Sequence, residues 1–173
     1  FSRQLLTAND LEVMIHYFAD FLMNGKTVAD AQTFSFANIQ SATAKMFGVL
    51  TGGYAVLALI AGQGMVAFRD PKGIRPLVIG MRETADGRKA WCLASESIAV
   101  NYLGYTYQRD VAAGEVVFID MDGNLHSAQV RQEKEKAPCM FEWVYFSGAE
   151  STIDHQPVYG ARLRLGERLA DKT

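Results

Sequence analysis

The sequence has few of the residues that build metal centres or disulfide frameworks. Its 173 residues include two cysteines, Cys92 and Cys139, and three histidines, and none of them has the neighbours of a zinc site. Two cysteines so far apart are typical of a protein from a reducing compartment, so we expect a cytoplasmic protein.

Excess charge and long apolar runs are also absent. A net charge of -2 and a pI near 5.9 give no electrostatic reason to expect binding to nucleic acid or to an anionic membrane. The longest apolar run, at residues 54–61, is far shorter than the roughly 20 residues that span a bilayer. We therefore expect neither nucleic acid nor a membrane as a partner.

No catalytic motif is complete within the chain. Gly62 and Gly64 precede a strand pattern rather than a helix, so they do not form a phosphate loop. Cys92 falls in a predicted buried strand without a base beside it in sequence, which is typical of an inert core thiol. Because the chain starts at Phe1 and stops inside a helical pattern, we expect a fragment of a longer protein.

Two amphipathic helices are predicted in the first third of the chain. Apolar spacing predicts one helix from Leu11, with Asn9 as N-cap, Glu12 as the acid of a capping box and a stop at residues 24–25. A second helix is predicted over residues 36–50, with Ser35 as its N-cap. Asp10 would occupy the first helical position, where the helix dipole favours a carboxylate, and the residues alone require no other role for it.

The rest of the chain is dominated by strand patterns. Strands are predicted at 54–60 (covered on both faces), 65–68, 77–79, 90–94, 115–119 and 125–130, with a short helix at 97–103. Asp70, Pro71 and Gly73 suit a type I turn, which predicts a hairpin between the second and third strands. The fold class is α+β with antiparallel sheets and with the helices on one face.

The composition changes after a charged run at residues 131–136. A domain boundary is predicted near Pro138, followed by a dense aromatic segment at 141–146 and a helix from about Val158 without a partner in this chain.

Five segments together carry a family resemblance. They read GYAV from Gly53, AFRDPKGIRPL from Ala67, ASES from Ala94, RDVAAGE from Arg109 and FEWVYF from Phe141. In this order they resemble the amidophosphoribosyltransferases, glutamine-dependent enzymes that open de novo purine synthesis. The aromatic segment separates this family from glutaminase relatives such as asparagine synthetase, which have similar RDxxGxxPL elements.

The resemblance implies a fold and a division into domains. It implies the four-layer αββα fold of N-terminal-nucleophile hydrolases, with residues 1–137 as the second half of the glutaminase domain. Residues 138–173 would then begin the phosphoribosyltransferase domain. In that interpretation the RDPKGIRPL segment is a scaffold hairpin in which Asp70 accepts hydrogen bonds from backbone or arginine donors.

The resemblance also implies a reaction. In the family an N-terminal cysteine attacks the glutamine amide, and the released ammonia passes to the second domain. There it displaces pyrophosphate from phosphoribosyl pyrophosphate and gives 5-phosphoribosylamine. Since position 1 is Phe1, the nucleophile and the oxyanion hole would precede this chain. No catalytic residue is therefore assigned within it, and we expect the chain alone to be inactive.

Two positions correspond to family site residues. The family pattern T-x-S-D-S-E aligns with Thr7 to Glu12, and its aspartate, which binds the α-ammonium group of glutamine, corresponds to Asp10. Cys139 stands where some members have an iron–sulfur ligand and others have a cysteine without a cluster, and we favour a structural thiol. The family further implies Mg²⁺ in the phosphoribosyltransferase domain and a homotetramer.

Two alternatives stay open at this point. One is a different glutaminase-bearing amidotransferase, and the other is a non-catalytic scaffold that binds partners through exposed aromatic residues at 141–146.

Overall fold

The computed structural model describes residues 5–23 and 33–172. The chain divides into two compact units, residues 1–51 and residues 52–173, which are described separately below. Among the described residues, no helix is both long enough and apolar enough to cross a membrane.

The first unit contains two helices that pack against each other, α1 (Asp10–Met23) and α2 (Phe36–Val49). Helix α1 begins as predicted, because the Asn9 side chain accepts from the Leu11 N–H at 3.0 Å. The capping box predicted for Glu12 is wrong: its carboxylate accepts from the loop residues Leu6 and Thr7 instead. The predicted stop at residues 24–25 lies outside the described residues.

Helix α2 follows the prediction closely. Ser35 caps it through a reciprocal capping box, in which the Asn38 N–H donates to the Ser35 Oγ and the Ser35 N–H donates to the Asn38 Oδ1. Its buried side chains recur at helical spacing, and they are Ile39, Ala42, Thr43, Met46 and Phe47.

The second unit consists mainly of short antiparallel strands. Its elements up to residue 129 are β1 (Ala55–Ile60), β2 (Gly64–Arg69), β3 (Val78–Glu83), β4 (Lys89–Ala94), α3 (Ser97–Tyr102), β5 (Thr106–Asp110), β6 (Glu115–Asp120) and β7 (Leu125–Gln129). They form a four-stranded sheet in the order β1-β2-β6-β7 and a three-stranded sheet in the order β4-β3-β5. Every pairing is antiparallel.

The two sheets share a hydrophobic core. Apolar side chains from both sheets and from the loops between them form one core, which contains Ala67, Leu77, Ile79, Val111 and Val117, with Trp91, Leu93 and Leu125 at its margin. Helix α3 packs on the three-stranded sheet, against β3, β4 and β5. The α+β class with antiparallel sheets is confirmed, whereas the complete four-layer order stays a prediction.

The hairpin predicted around Asp70 is wrong. Strand β2 belongs to the four-stranded sheet and β3 to the three-stranded sheet, so residues 70–77 cross from one sheet to the other. The local turn exists, since the Gly73 N–H donates to the Asp70 carbonyl at 2.9 Å. The chain does not return beside β2 after that turn, and Pro76 has no N–H for a ladder.

Two other strand predictions also differ from the structure. Strand β1 is an edge strand rather than a strand covered on both faces, and Leu57 and Leu59 are 47% and 83% exposed. Strand β5 was not predicted, because its alternating polar sequence TYQRD has no apolar signal. Cys92 lies in β4 as expected but is only partly buried.

The last part of the second unit starts with a π-helix. It comprises a π-helix (Glu142–Phe146), a hairpin of β8 (Thr152–Ile153) and β9 (Gln156–Pro157), and helix α4 (Val158–Ala170). The start of α4 is as predicted. The two turn residues of the hairpin, Asp154 and His155, have φ of 45° and 65°, the left-handed conformation of a type I′ turn. The segment 138–170, as defined by these elements, is called the C-terminal segment below.

Candidate functional site

Asp10, the predicted glutamine-binding residue, is the first residue of α1 and is exposed. Among the described residues its carboxylate forms no hydrogen bond or ion pair. The partial positive charge of the helix N-terminus favours a carboxylate there. Its geometry thus fits both interpretations from the sequence, dipole compensation and binding of an ammonium group.

The loop that precedes Asp10 is fixed by Glu12. The Glu12 carboxylate accepts from the backbone N–H of Leu6 (2.8 Å) and of Thr7 (2.7 Å) and from the Thr7 hydroxyl (2.6 Å). The Leu6 N–H and the Thr7 hydroxyl lower the pKa of Glu12 most, because both donate to its charged form. The acid of the family pattern therefore orders the loop and leaves Asp10 unengaged.

The most highly connected side chain of the second unit is Arg69, at the end of β2. Although it is 2% exposed, each of its guanidinium N–H groups has an acceptor. The acceptors are the carbonyls of Arg75 (2.7 Å), Val111 (2.9 Å) and Gly73 (3.1 Å) and both carboxylate oxygens of Asp154 (2.9 and 3.2 Å). Arg69 thus links the sheet-to-sheet connection to a residue 85 positions away.

Asp70 is fully buried beside Arg69 and holds the connection from within. One carboxylate oxygen accepts from the N–H groups of Lys72 (3.1 Å) and Ile74 (3.0 Å), and the other accepts from Arg75 (3.0 Å). Its backbone is paired as well, since its N–H donates to the Tyr54 carbonyl at 2.9 Å. The expectation that Asp70 accepts from backbone donors and holds the turn is confirmed.

Asp154 was not singled out in the sequence, and its position explains why. It stands first in the two-residue β8–β9 turn, a left-handed conformation that Asp and Asn tolerate better than most residues. The turn directs its carboxylate to Arg69, and α4 starts four positions later at Val158. The local signal is one Asp-His dipeptide between two very short strands.

Two further contacts attach the C-terminal segment to the sheets. The Glu96 carboxylate, from the ASES motif before α3, accepts from the Gly148 N–H (2.7 Å) and the Ser151 hydroxyl (2.9 Å). Arg75 forms an ion pair with the buried Glu142 at 2.7 Å, and its guanidinium lies 5.7 Å from the centroid of the Phe146 ring. The RDPKGIRPL and ASES motifs therefore share one task, which is to hold this segment.

The RDVAAGE motif closes the turn between β5 and β6. Arg109 and Glu115 form a bidentate ion pair, with N···O distances of 2.7 and 2.8 Å, and Glu115 also accepts from the Ala112 N–H. The Tyr107 hydroxyl donates to Asp110 at 2.6 Å, and burial followed by this hydrogen bond raises the pKa of Tyr107. These residues brace the turn whose Val111 carbonyl accepts from Arg69.

Cys139 does not form a metal site with the residues that the structure describes. It is a free, partly buried thiol in a small crevice beside Ile74 and Trp143, and its N–H donates to the Ile74 carbonyl at 3.2 Å. Across residues 5–23 and 33–172, no group of three or more His, Cys, Asp or Glu side chains is arranged to hold a metal ion. One cysteine does not supply the ligand set of an iron–sulfur cluster.

An apolar groove of about 400 Å³ runs between the π-helix and α4. It is lined by Pro138, Met140, Trp143, Val144, Ala161, Arg164, Leu165 and Arg168. Next to it Phe141, Tyr145 and Phe146 are 56%, 76% and 51% exposed, as the sequence suggested for the aromatic segment.

Comparison with known proteins shows what this chain is similar to. No protein-family model matches the chain. The chain is 41% identical over 170 residues to the amidophosphoribosyltransferase of Escherichia coli and 42% identical to that of Pseudomonas aeruginosa. Both alignments cover 98% of this chain and 33% of the relative. The chain is similar to one third of an amidophosphoribosyltransferase, and the predicted resemblance is confirmed.

Solved structures agree with the sequence comparison. The glutamine phosphoribosylpyrophosphate amidotransferase of Bacillus subtilis, solved with ADP and GMP, matches with a TM-score of 0.76 at 30% identity. The match covers 99% of this chain and 33% of that one. The chain thus spans about a third of the length of these amidophosphoribosyltransferases. Within it, the motifs that carry the resemblance stabilise the fold through their hydrogen bonds and ion pairs. The domain boundary near Pro138 and the role of Asp10 stay predictions.

Proposed function

We propose that this chain is a part of a protein that transfers ammonia from glutamine to phosphoribosyl pyrophosphate. The products would be 5-phosphoribosylamine, glutamate and pyrophosphate, the first step of de novo purine synthesis. The observation that supports this most is the 41–42% identity to named amidophosphoribosyltransferases over 98% of the chain. The nucleophile and the phosphoribosyl site would be supplied outside these 173 residues.

The site proposals for this chain centre on Asp10. Its exposed carboxylate at the start of α1 would bind the α-ammonium group of glutamine, with Glu12 holding the adjacent loop. For Cys139 we propose a structural thiol rather than an iron–sulfur ligand. For the whole protein we propose Mg²⁺ at the phosphoribosyl site, a homotetramer and a cytoplasmic location.

The reaction is tested on the full-length protein. Glutamate and pyrophosphate should be released in equal amounts, and only when glutamine and phosphoribosyl pyrophosphate are both present. When ammonia is given in place of glutamine, pyrophosphate should still form. Glutamate release that depends on a different acceptor would favour another amidotransferase.

Asp10→Asn tests the glutamine site in the same protein. Loss of an ammonium–carboxylate contact should raise the glutamine KM by about ten- to a hundredfold. Ammonia-dependent synthesis should not change, because ammonia needs no such contact. The matched control is Asp122→Asn, which changes an exposed aspartate in the β6–β7 turn. An unchanged glutamine KM in Asp10→Asn would exclude Asp10 from the site.

A further inference from the structure

We infer that Asp154 is a positioning residue that couples the two half-reactions, because its charge joins the C-terminal segment to the sheet-to-sheet connection through Arg69. This inference rests on the proposed function, since it concerns how ammonia released from glutamine is delivered to the phosphoribosyl reaction. Asp154 has no assigned contact with substrate and would act through Arg69.

Asp154 is the charged partner of the buried Arg69 guanidinium. Arg69 is 2% exposed, and the acceptors around it are neutral carbonyls apart from Asp154, whose two oxygens accept from two of its nitrogens. A guanidinium buried without a counter-ion is strongly disfavoured. Displacement of the β8–β9 turn would therefore disfavour the present arrangement of Arg69.

Arg69 also constrains the sheet-to-sheet connection at residues 70–77. Its N–H groups donate to the carbonyls of Gly73 and Arg75, so the guanidinium fixes the middle of the connection that Asp70 holds from inside. Arg75 in turn pairs with Glu142 in the π-helix. The connection and the C-terminal segment are thus joined by two ion pairs, Arg69–Asp154 and Arg75–Glu142. Displacement of the connection would therefore disturb the C-terminal segment, and the reverse also holds.

Other contacts of the C-terminal segment hold the start of α4. Asp154 lies four positions before Val158, and the Val158 N–H donates to the Ser151 carbonyl at 2.9 Å. Ser151 is itself held by Glu96. The start of α4 is therefore held by Glu96 through Ser151, and it directly follows the hairpin that carries Asp154.

Coupling has a direct chemical measure in this reaction. Hydrolysis of glutamine consumes water and gives glutamate and ammonia, and the ammonia then displaces pyrophosphate from phosphoribosyl pyrophosphate. When transfer is complete, glutamate and pyrophosphate form in equal amounts. Misplacement of the C-terminal segment would release ammonia to solvent, so glutamate would exceed pyrophosphate.

The test is Asp154→Asn in the full-length protein. Asparagine has nearly the same shape and is favoured in the left-handed conformation of this turn, so the change removes the charge and one acceptor. We expect the ratio of pyrophosphate to glutamate to fall about threefold or more, a span known for coupling networks. The rate with saturating ammonia should stay close to that of the unchanged protein.

Controls separate coupling from folding and from the proposed function. Glu150→Gln removes an exposed charge four positions earlier in the same segment and should leave the ratio unchanged. Asp154→Gly preserves the turn and removes both acceptors, so it should lower the ratio at least as much as Asp154→Asn. Equal amounts of both products in Asp154→Asn and Asp154→Gly would overturn the inference. Absence of pyrophosphate formation in the unchanged protein, with glutamine and with ammonia, would instead overturn the proposed function.

Discussion

Asp70 shows how one buried carboxylate can hold an irregular connection between two sheets. Three backbone N–H groups donate to it, and none of them belongs to a helix or a strand ladder. Asp70→Ala should therefore lower the free energy of unfolding by about 1–3 kcal/mol, since buried donors would lose their acceptor. Urea unfolding monitored by circular dichroism measures this change.

Asp86 provides the comparison for Asp70. It occupies the exposed β3–β4 turn, where its side chain interacts with Thr84 and Arg88 close to solvent. Asp86→Ala should change the free energy of unfolding much less than Asp70→Ala. Equal effects, or a loss of glutamine turnover in Asp70→Ala without a loss of stability, would contradict the structural role of Asp70.

At the scale of residues, predictability depended on the distance in sequence between partners. The role of Asp70 as a hydrogen-bond acceptor was predictable because its donors lie within five positions, where turn chemistry applies. The Asp154 partner lies 85 positions away, and no local rule predicts which buried cation an aspartate meets. Asp10 required the family resemblance, because its position alone also fits a helix-dipole acid.

At the scale of elements, Gly80 decides how closely α3 approaches the three-stranded sheet. A Cβ at Gly80 would overlap the side chain of Val100, which is fully buried in α3. Gly80→Ala should lower the free energy of unfolding by about 1–3 kcal/mol through overpacking. Thermal and urea unfolding check this, and the α3 region should lose protection from hydrogen exchange first.

Gly166 in α4 is the matched control for Gly80. No atom lies within 4 Å of a Cβ placed there, so Gly166→Ala should be neutral or stabilise the protein by up to about 1 kcal/mol through helix propensity. A neutral Gly80→Ala would show that α3 can move away from β3 at little cost.

Elements were predictable where capping and turn signals are local. Ser35 and its capping box place α2, and short turns place the β3–β4 and β6–β7 hairpins. The connection at 70–77 has a correct turn signal, yet the signal does not specify which sheet the next strand joins. The carbonyls of Gly73 and Arg75 are engaged by Arg69 rather than by a neighbouring strand.

At the scale of the whole molecule, four of the five motifs that carry the family resemblance converge on one junction. RDPKGIRPL supplies Arg69 and Arg75, ASES supplies Glu96, RDVAAGE supplies the Val111 carbonyl, and the aromatic segment supplies Glu142. Each anchors the C-terminal segment directly or braces a residue that does. The motifs and their order can be read from the sequence, but their convergence depends on contacts over 42 to 85 positions.

The most direct test follows the amide nitrogen itself. Full-length protein is given glutamine labelled with a nitrogen isotope at the amide, together with phosphoribosyl pyrophosphate and excess unlabelled ammonia at low pH. The proposed function predicts that the label appears in phosphoribosylamine, with pyrophosphate formed in step. Label found solely as free ammonia, or in a product that forms without phosphoribosyl pyrophosphate, would contradict it.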